Sequence, residues 1–204
     1  IAQREGRAKD SNDRTQPSIL KMMAMGGEGT PLERLMQLHV VPLAISYEFD
    51  PCDYLKAAEF QLKRDVQGWK KSAADDVNSM RTGIMGYKGR VHYHCAPCID
   101  EFIRNLSPDI PKTKVFDVIA AHIDDEIFRN YRLYPNNYIA LDTLEVTEAH
   151  ADKYSAEDKA MFHKYLQGQL AKIDIPDKDE EFLMERMLTM YANPARNYLA
   201  ATKG

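Results

Sequence analysis

The sequence predicts an α/β chain: a partial mixed or parallel sheet flanked by helices, followed by a mostly helical C-terminal half. Three observations carry this. Residues 40–49 form a near-continuous apolar run with β-branched members, the pattern of a strand buried on both faces and running parallel to its neighbours. Gly83, Gly86 and Gly89 punctuate a turn region before a second strand at 90–95. After Pro97 the apolar period becomes helical and stays so to the C-terminus.

Taken in order, residues 1–4 read as the tail of a strand. Pro17 fits the first turn of a helix through about Met25, ended by Gly26-Gly27. Residues 31–38 read as a short helix, 40–49 as the buried strand, and Asp50-Pro51 as its break. A helix follows over 53–66, continued by a second over 66–78 that holds Trp69, the single tryptophan. Helices are predicted over 100–105, 114–130, 137–144, 156–171 and 179–192. In 114–130, Phe116, Ile119, Ala120, Ile123 and Ile127 fall on one face. Ser155 with Asp158 gives a start like a capping box. The predicted organisation is an α/β unit over 1–105 and a helical extension packed on it over 106–204.

Composition bounds the function classes. A chain of 204 residues with 44% hydrophobic and 28% charged residues is ordinary for a globular protein. A net charge of −4 supplies no global basic field, so no nucleic-acid partner is expected. Three cysteines, Cys52, Cys95 and Cys98, fit a reducing compartment better than a disulfide framework. No run approaches the ~18 apolar residues of a membrane-spanning helix.

The most informative stretch is Gln3-Arg4-Glu5-Gly6-Arg7 with the polar residues that follow to Gln16. An apolar start, a glycine-containing basic turn and a helix can present backbone N–H groups and guanidinium forks to a phosphate. Arg suits this because its planar fork grips two phosphate oxygens at once. Glu5, Asp10 and Asp13 partly neutralise the cluster, as a solvated loop would also show.

These residues, with Val41-Pro42-Leu43-Ala44-Ile45-Ser46 downstream, resemble the glycerolipid acyltransferase family of glycerol-3-phosphate and 1-acyl-glycerol-3-phosphate acyltransferases. Glu5-Gly6 matches the family's EG pair and Val41-Pro42 its VP pair. The strings ISYEFDPCDYLKA and TGIMGYKGRVHYH are similar to a bacterial branch of that family. The resemblance covers residues 1–105. It departs from the usual pattern at the cation: Arg7 follows Gly6 directly, Ala8 takes the usual Arg place and Lys9 the usual Ser place. Which of Arg7, Lys9 and Arg14 meets the phosphate stays open.

The resemblance implies transfer of a fatty acyl chain from acyl-CoA or acyl carrier protein to a hydroxyl of glycerol phosphate or lysophosphatidate, in phospholipid synthesis. It implies acceptor binding by Glu5, Gly6 and Arg7, with Lys9 and Arg14 as further candidates, and a pocket shaped by Val41 and Pro42. It implies no cofactor and no metal, and a cytoplasmic protein peripheral to the inner face of the membrane. The family's His-x4-Asp motif lies upstream of the EG block, and none of the six histidines here is followed by Asp five positions on. The chain is therefore expected to be the C-terminal portion of such a protein, inactive alone, with catalytic His and Asp upstream of Ile1. The alternative is a non-catalytic phosphate-binding module of the same fold.

Other candidates are weaker. His92, His94, Cys95 and Cys98 invite zinc, but on a strand His92 and His94 face one side and Cys95 the other. His122 and Glu126 share a helix face at metal-site spacing. Met184, Met187 and Met190 read as core or interface, and the acidic polar face beside them disfavours anionic lipid.

Overall fold

The predicted apolar strand forms, but with one face in solvent and an antiparallel partner. In the computed structural model, which describes residues 1–4 and 8–203, β1 (Leu43–Tyr47) pairs with β2 (Val91–Cys95) in a two-stranded antiparallel sheet, Leu43 opposite Cys95 and Tyr47 opposite Val91. The expected parallel sheet is therefore corrected. The apolar run had suggested burial on both faces, yet only Ala44 and Ser46 point inward, while Leu43, Ile45 and Tyr47 are about two-fifths exposed. Two further bonds tie the segments beyond the strands: Ala96 N–H donates to Pro42 O (2.9 Å) and Ile99 N–H to Val40 O (3.0 Å).

Helices dominate, at 56% of the described residues. They are α1 (Pro17–Met23), α2 (Pro31–Met36), α3 (Asp53–Asp65), α4 (Ala73–Met85), α5 (Asp100–Arg104), α6 (Val115–Arg129), α7 (Pro135–Glu145), α8 (Ala156–Leu170) and α9 (Glu180–Thr202). Most begin where local chemistry says they should. Pro opens α1, α2 and α7, where its missing N–H costs nothing. Thr30 with Glu33, Ser72 with Asp75, and Ser155 with Asp158 form capping boxes on α2, α4 and α8.

Three local expectations are corrected. Residues 1–4 are not a strand; Gln3 O accepts one bond from Gln16 N–H (2.8 Å), which closes a loop rather than starting a ladder. The helix expected over 66–78 starts at Ala73, after a turn containing Trp69, because the Ser72 capping box fixes its start. Gly83 lies inside that helix and not in a turn. It faces the body, where a Cβ would sit 3.5 Å from Cys52 Sγ, an ordinary contact distance.

Two hydrophobic cores form. One packs Leu20, Leu35 and Ala44 against Ile99, Ile119, Ile123 and Ile127, the predicted apolar face of α6. The other packs Phe49 and Ala57 against Phe162, Leu166, Leu183, Met187 and Tyr191. Each draws residues from both sides of position 105. Met187 and Met190 are buried, so the methionine-rich helix is core. No helix is long and apolar enough to cross a membrane among the described residues.

Candidate functional site

The described residues of the N-terminal segment, 3–4 and 8–16, are tied to three helices, and Gln16 N–H donates to Gln3 O (2.8 Å). Asp124 of α6 accepts from both Thr15 N–H (2.8 Å) and Thr15 Oγ1 (2.7 Å). Arg14 donates to Asn197 Oδ1 of α9 (2.9 Å) and lies over the Phe128 ring at 4.4 Å. Asn193 Nδ2 donates to Asp10 O (2.7 Å), and Lys9 is paired with Glu59 of α3. Within the loop, Asp13 Oδ1 accepts from Ala8 N–H (2.9 Å). Such density of tethers turns a charged sequence into a fixed platform.

Beside this platform lies a cleft of about 500 Å³. Its polar end is built from Gln3, Arg4, Asp13 and Thr15. Its walls are apolar: Ile19, Leu20 and Met23 from α1, Val40–Leu43 and Ile45 leading into β1, and Ile123 and Ile127 from α6. A second, more polar cavity of about 260 Å³ adjoins it, and Asp13, Ile45 and Tyr131 line both. Burial raises the Tyr131 hydroxyl well above its ordinary pKa, with Asp13 and Asp124 adding to the effect, so it stays neutral.

Arg4 lines this cleft and forms a long ion pair with Asp13. Its Nε is buried, lies 4.0 Å from Asp13 Oδ1 and has no hydrogen-bond partner among the described residues. A buried N–H without a partner costs free energy that a bound anion would recover. Arg34 and Arg186 also hold a partnerless Nε, but neither lines this cleft.

The sequence-predicted site residues are placed as follows. Glu5, Gly6 and Arg7 lie outside the described residues. Val41 and Pro42 line the same cleft as Gln3 and Arg4. Lys9 and Arg14 do not line it; their charges are taken up by Glu59 and by Asn197 and Phe128. Arg4 was visible in the sequence as part of the basic cluster but was not singled out as a ligand, and Tyr131, Ile123 and Ile127 carried no motif that could have found them.

The other candidates are placed as follows. His92 and His94 sit opposite Ser46 and Ala44 on the half-buried face of the sheet, and Cys95 is exposed on the other. His122 stacks on Phe102 with ring centroids 3.7 Å apart, and burial lowers its pKa. Among the described residues, ligand atoms of His39, Cys98 and Asp100 lie within 4.8 Å of one another. The His39 Nδ1–Asp100 Oδ2 contact (2.6 Å) ties the approach to β1 to the start of α5.

No protein-family model, no curated protein and no solved structure matches this chain.

Proposed function

We propose that the chain forms the acceptor-binding part of a glycerolipid acyltransferase. The observation that carries this reading is the shape and chemistry of one cleft. Polar Gln3, Arg4, Asp13 and Thr15 share the cleft with aliphatic side chains, and the Arg4 Nε has no hydrogen-bond partner among the described residues, a combination that suits an amphiphile with a phosphate head and an acyl tail. The two sequence blocks that resemble the family, around Gln3-Arg4 and at Val41-Pro42, meet there despite their separation in the chain.

In this reading Arg4 and the adjoining 5–7 segment hold the phosphate of glycerol 3-phosphate or lysophosphatidate. Ile19, Met23, Val41 and Leu43 accept the chain of the monoacyl form. The contribution is positional: it fixes the acceptor hydroxyl relative to an acyl thioester. The transfer itself needs a general base on that hydroxyl, which the family draws from His-x4-Asp. The hydroxyl attacks the thioester carbonyl, the thiolate leaves, and the base carries away the hydroxyl proton. No covalent enzyme intermediate is required. Peripheral contact with a membrane follows from the insolubility of a monoacyl acceptor.

The absence of any His-x4-Asp among the six histidines of this sequence favours, for the 204 residues alone, the second reading: a phosphate-binding module without chemistry of its own. Calorimetric titration of the purified chain with glycerol 3-phosphate and short-chain lysophosphatidate tests the shared element. Binding of both, tighter for the monoacyl form and weakened by Arg4→Met, supports the cleft as an acceptor site. No binding of either removes both readings. Acceptor-dependent thiol release from acyl-CoA by the polypeptide its gene encodes then separates enzyme from module.

A further inference from the structure

Helix α4 is amphipathic in the reverse sense. Its side toward the body carries small and polar groups: Ser79, Thr82 and Gly83 are half-buried, and Cys52 Sγ donates to Ser79 O (3.4 Å). Its solvent side carries Val77, Met80 and Ile84, spaced i, i+3 and i+7 on one stripe and 66%, 63% and 72% exposed. Met85 and Tyr87 continue that exposure past the helix end. None of the thirteen residues of α4 is buried. A folded chain leaves a coherent apolar stripe in water where something covers it.

Charge says what kind of surface that is. Residues 66–90 hold Lys70, Lys71, Arg81, Lys88 and Arg90 against Asp75 and Asp76, net +3 within a chain of net −4. Both aspartates are engaged at the helix start, Asp75 capping Ser72 and Asp76 pairing with Lys71 (2.9 Å). Lys70 and Arg81 have no ion-pair partner among the described residues. Half-buried Trp69 precedes the helix and exposed Tyr87 follows it, rings suited to the headgroup level of a bilayer.

We propose that α4 is a membrane-docking helix that lies in the surface of an anionic bilayer, with Val77, Met80 and Ile84 inserted and Lys70 and Arg81 toward the lipid phosphates. A bilayer needs no complementary shape, which suits a single helix about 20 Å long. A second copy suits it less: one helix face is well below the ~800 Å² per partner of a stable interface, and two-fold pairing of the stripe would bring like charges at Arg81 together. The inference locates the membrane contact of the acyl-transfer reading but rests on α4 alone, and the experiment below does not read the cleft.

Trp69 is the only tryptophan and sits at the start of the helix, so its fluorescence reports docking directly. The 204-residue chain is mixed with phosphatidylcholine vesicles, with or without phosphatidylglycerol, and sedimented. Docking predicts cosedimentation and a blue shift with phosphatidylglycerol only, reversed by high salt. Met80→Asp with Ile84→Asp should cut partitioning by at least about tenfold, the scale of removing two aliphatic side chains from the interface. Both positions are exposed, so the far-UV circular dichroism and urea unfolding of the double variant should match the wild type. Arg81→Glu should weaken binding to anionic vesicles while leaving the fold intact. Equal partitioning of double variant and wild type, or no sedimentation with either vesicle, overturns the proposal. So does a concentration-dependent dimer that the double variant abolishes in the absence of lipid, which assigns the stripe to a second copy.

Discussion

Replacing Asp53 by Asn should remove most of the pH dependence of stability between pH 4 and 6. Asp53 opens α3 fully buried and accepts four hydrogen bonds. Oδ1 takes Tyr54 N–H (2.6 Å) and Gln169 Nε2 (2.5 Å), and Oδ2 takes the hydroxyls of Tyr165 (3.0 Å) and Tyr191 (2.8 Å). Burial still outweighs these donors and, with the Asp50 carboxylate nearby, pushes the Asp53 pKa up to about 6. An unfolded aspartate titrates near ~3.9. Between those values the native state keeps a proton that the unfolded state has released. The stabilisation is therefore fully present below about pH 4 and is lost as pH rises through 6. Two pH units correspond to about 3 kcal/mol, or roughly 7 °C in Tm for a chain of this length. Urea unfolding of wild type and Asp53→Asn from pH 4 to 7.5 measures it. Asp124, raised by burial, and His122, lowered by it, titrate in both proteins and cancel in the difference. The wild type should lose about 3 kcal/mol relative to the variant across the window. A flat difference, or a wild type that gains on the variant as pH rises, would mean that the four donors and not burial set the protonation state.

Three further outcomes follow from the packing. Gly86→Ala places a Cβ 2.3 Å from Pro51 Cβ and 2.5 Å from Thr82 O, and should cost about 1–3 kcal/mol in urea unfolding because one obstacle is backbone. Met187→Ala, at a fully buried position on α9, should cost about 2–5 kcal/mol and leave phosphate binding intact. Asp124→Ala removes both bonds to Thr15, so hydrogen exchange should quicken across residues 8–16, with a stability loss of about 1–3 kcal/mol.

Local chemistry was legible in the sequence, and long-range pairing was not. The apolar face of α6 and the Ser155–Asp158 cap depend on neighbours three or four positions away, and both stand where the sequence placed them. The Ser72–Asp75 cap was equally visible, but the run around Trp69 drew the helix start too early. The helix predicted over 179–192 continues through Pro194 to Thr202, with Ala195 and Asn197 buried beyond the bond that the proline removes. Strand direction was beyond reach, since the partner of residues 43–47 lies at 91–95 and the exposed Leu43–Ile45–Tyr47 face reads the same as a buried one. In the site, Val41 and Pro42 line a cleft together with Gln3 and Arg4. The roles of Lys9 and Arg14 depend on Glu59 and Asn197, 50 and 183 residues away, which no local pattern reveals.

That distribution of partners gives the cleft a sharp test. Three cations of the loop have described positions, and they differ in what already satisfies them. Lys9 pairs with Glu59, a carboxylate only 6% exposed that the pairing with Lys9 and Lys63 holds below its usual pKa despite desolvation. Arg14 is bonded to Asn197 and laid on Phe128. Recruiting either to a phosphate would break a contact that fixes the loop and leave a partner group unpaired. Arg4 has only a long ion pair with Asp13 (4.0 Å), its Nε has no hydrogen-bond partner among the described residues, and it already lines the cleft. The two substitutions should therefore dissociate. Arg4→Met should weaken glycerol 3-phosphate binding by about tenfold or more, the scale of one charge-assisted bond, with little change in unfolding. Lys9→Met should lower stability by about 1 kcal/mol or more, since Glu59 loses its closer cation, while the variant binds phosphate as the wild type does. Binding lost in Lys9→Met and retained in Arg4→Met would reverse the assignment and place the anion on the other side of the loop.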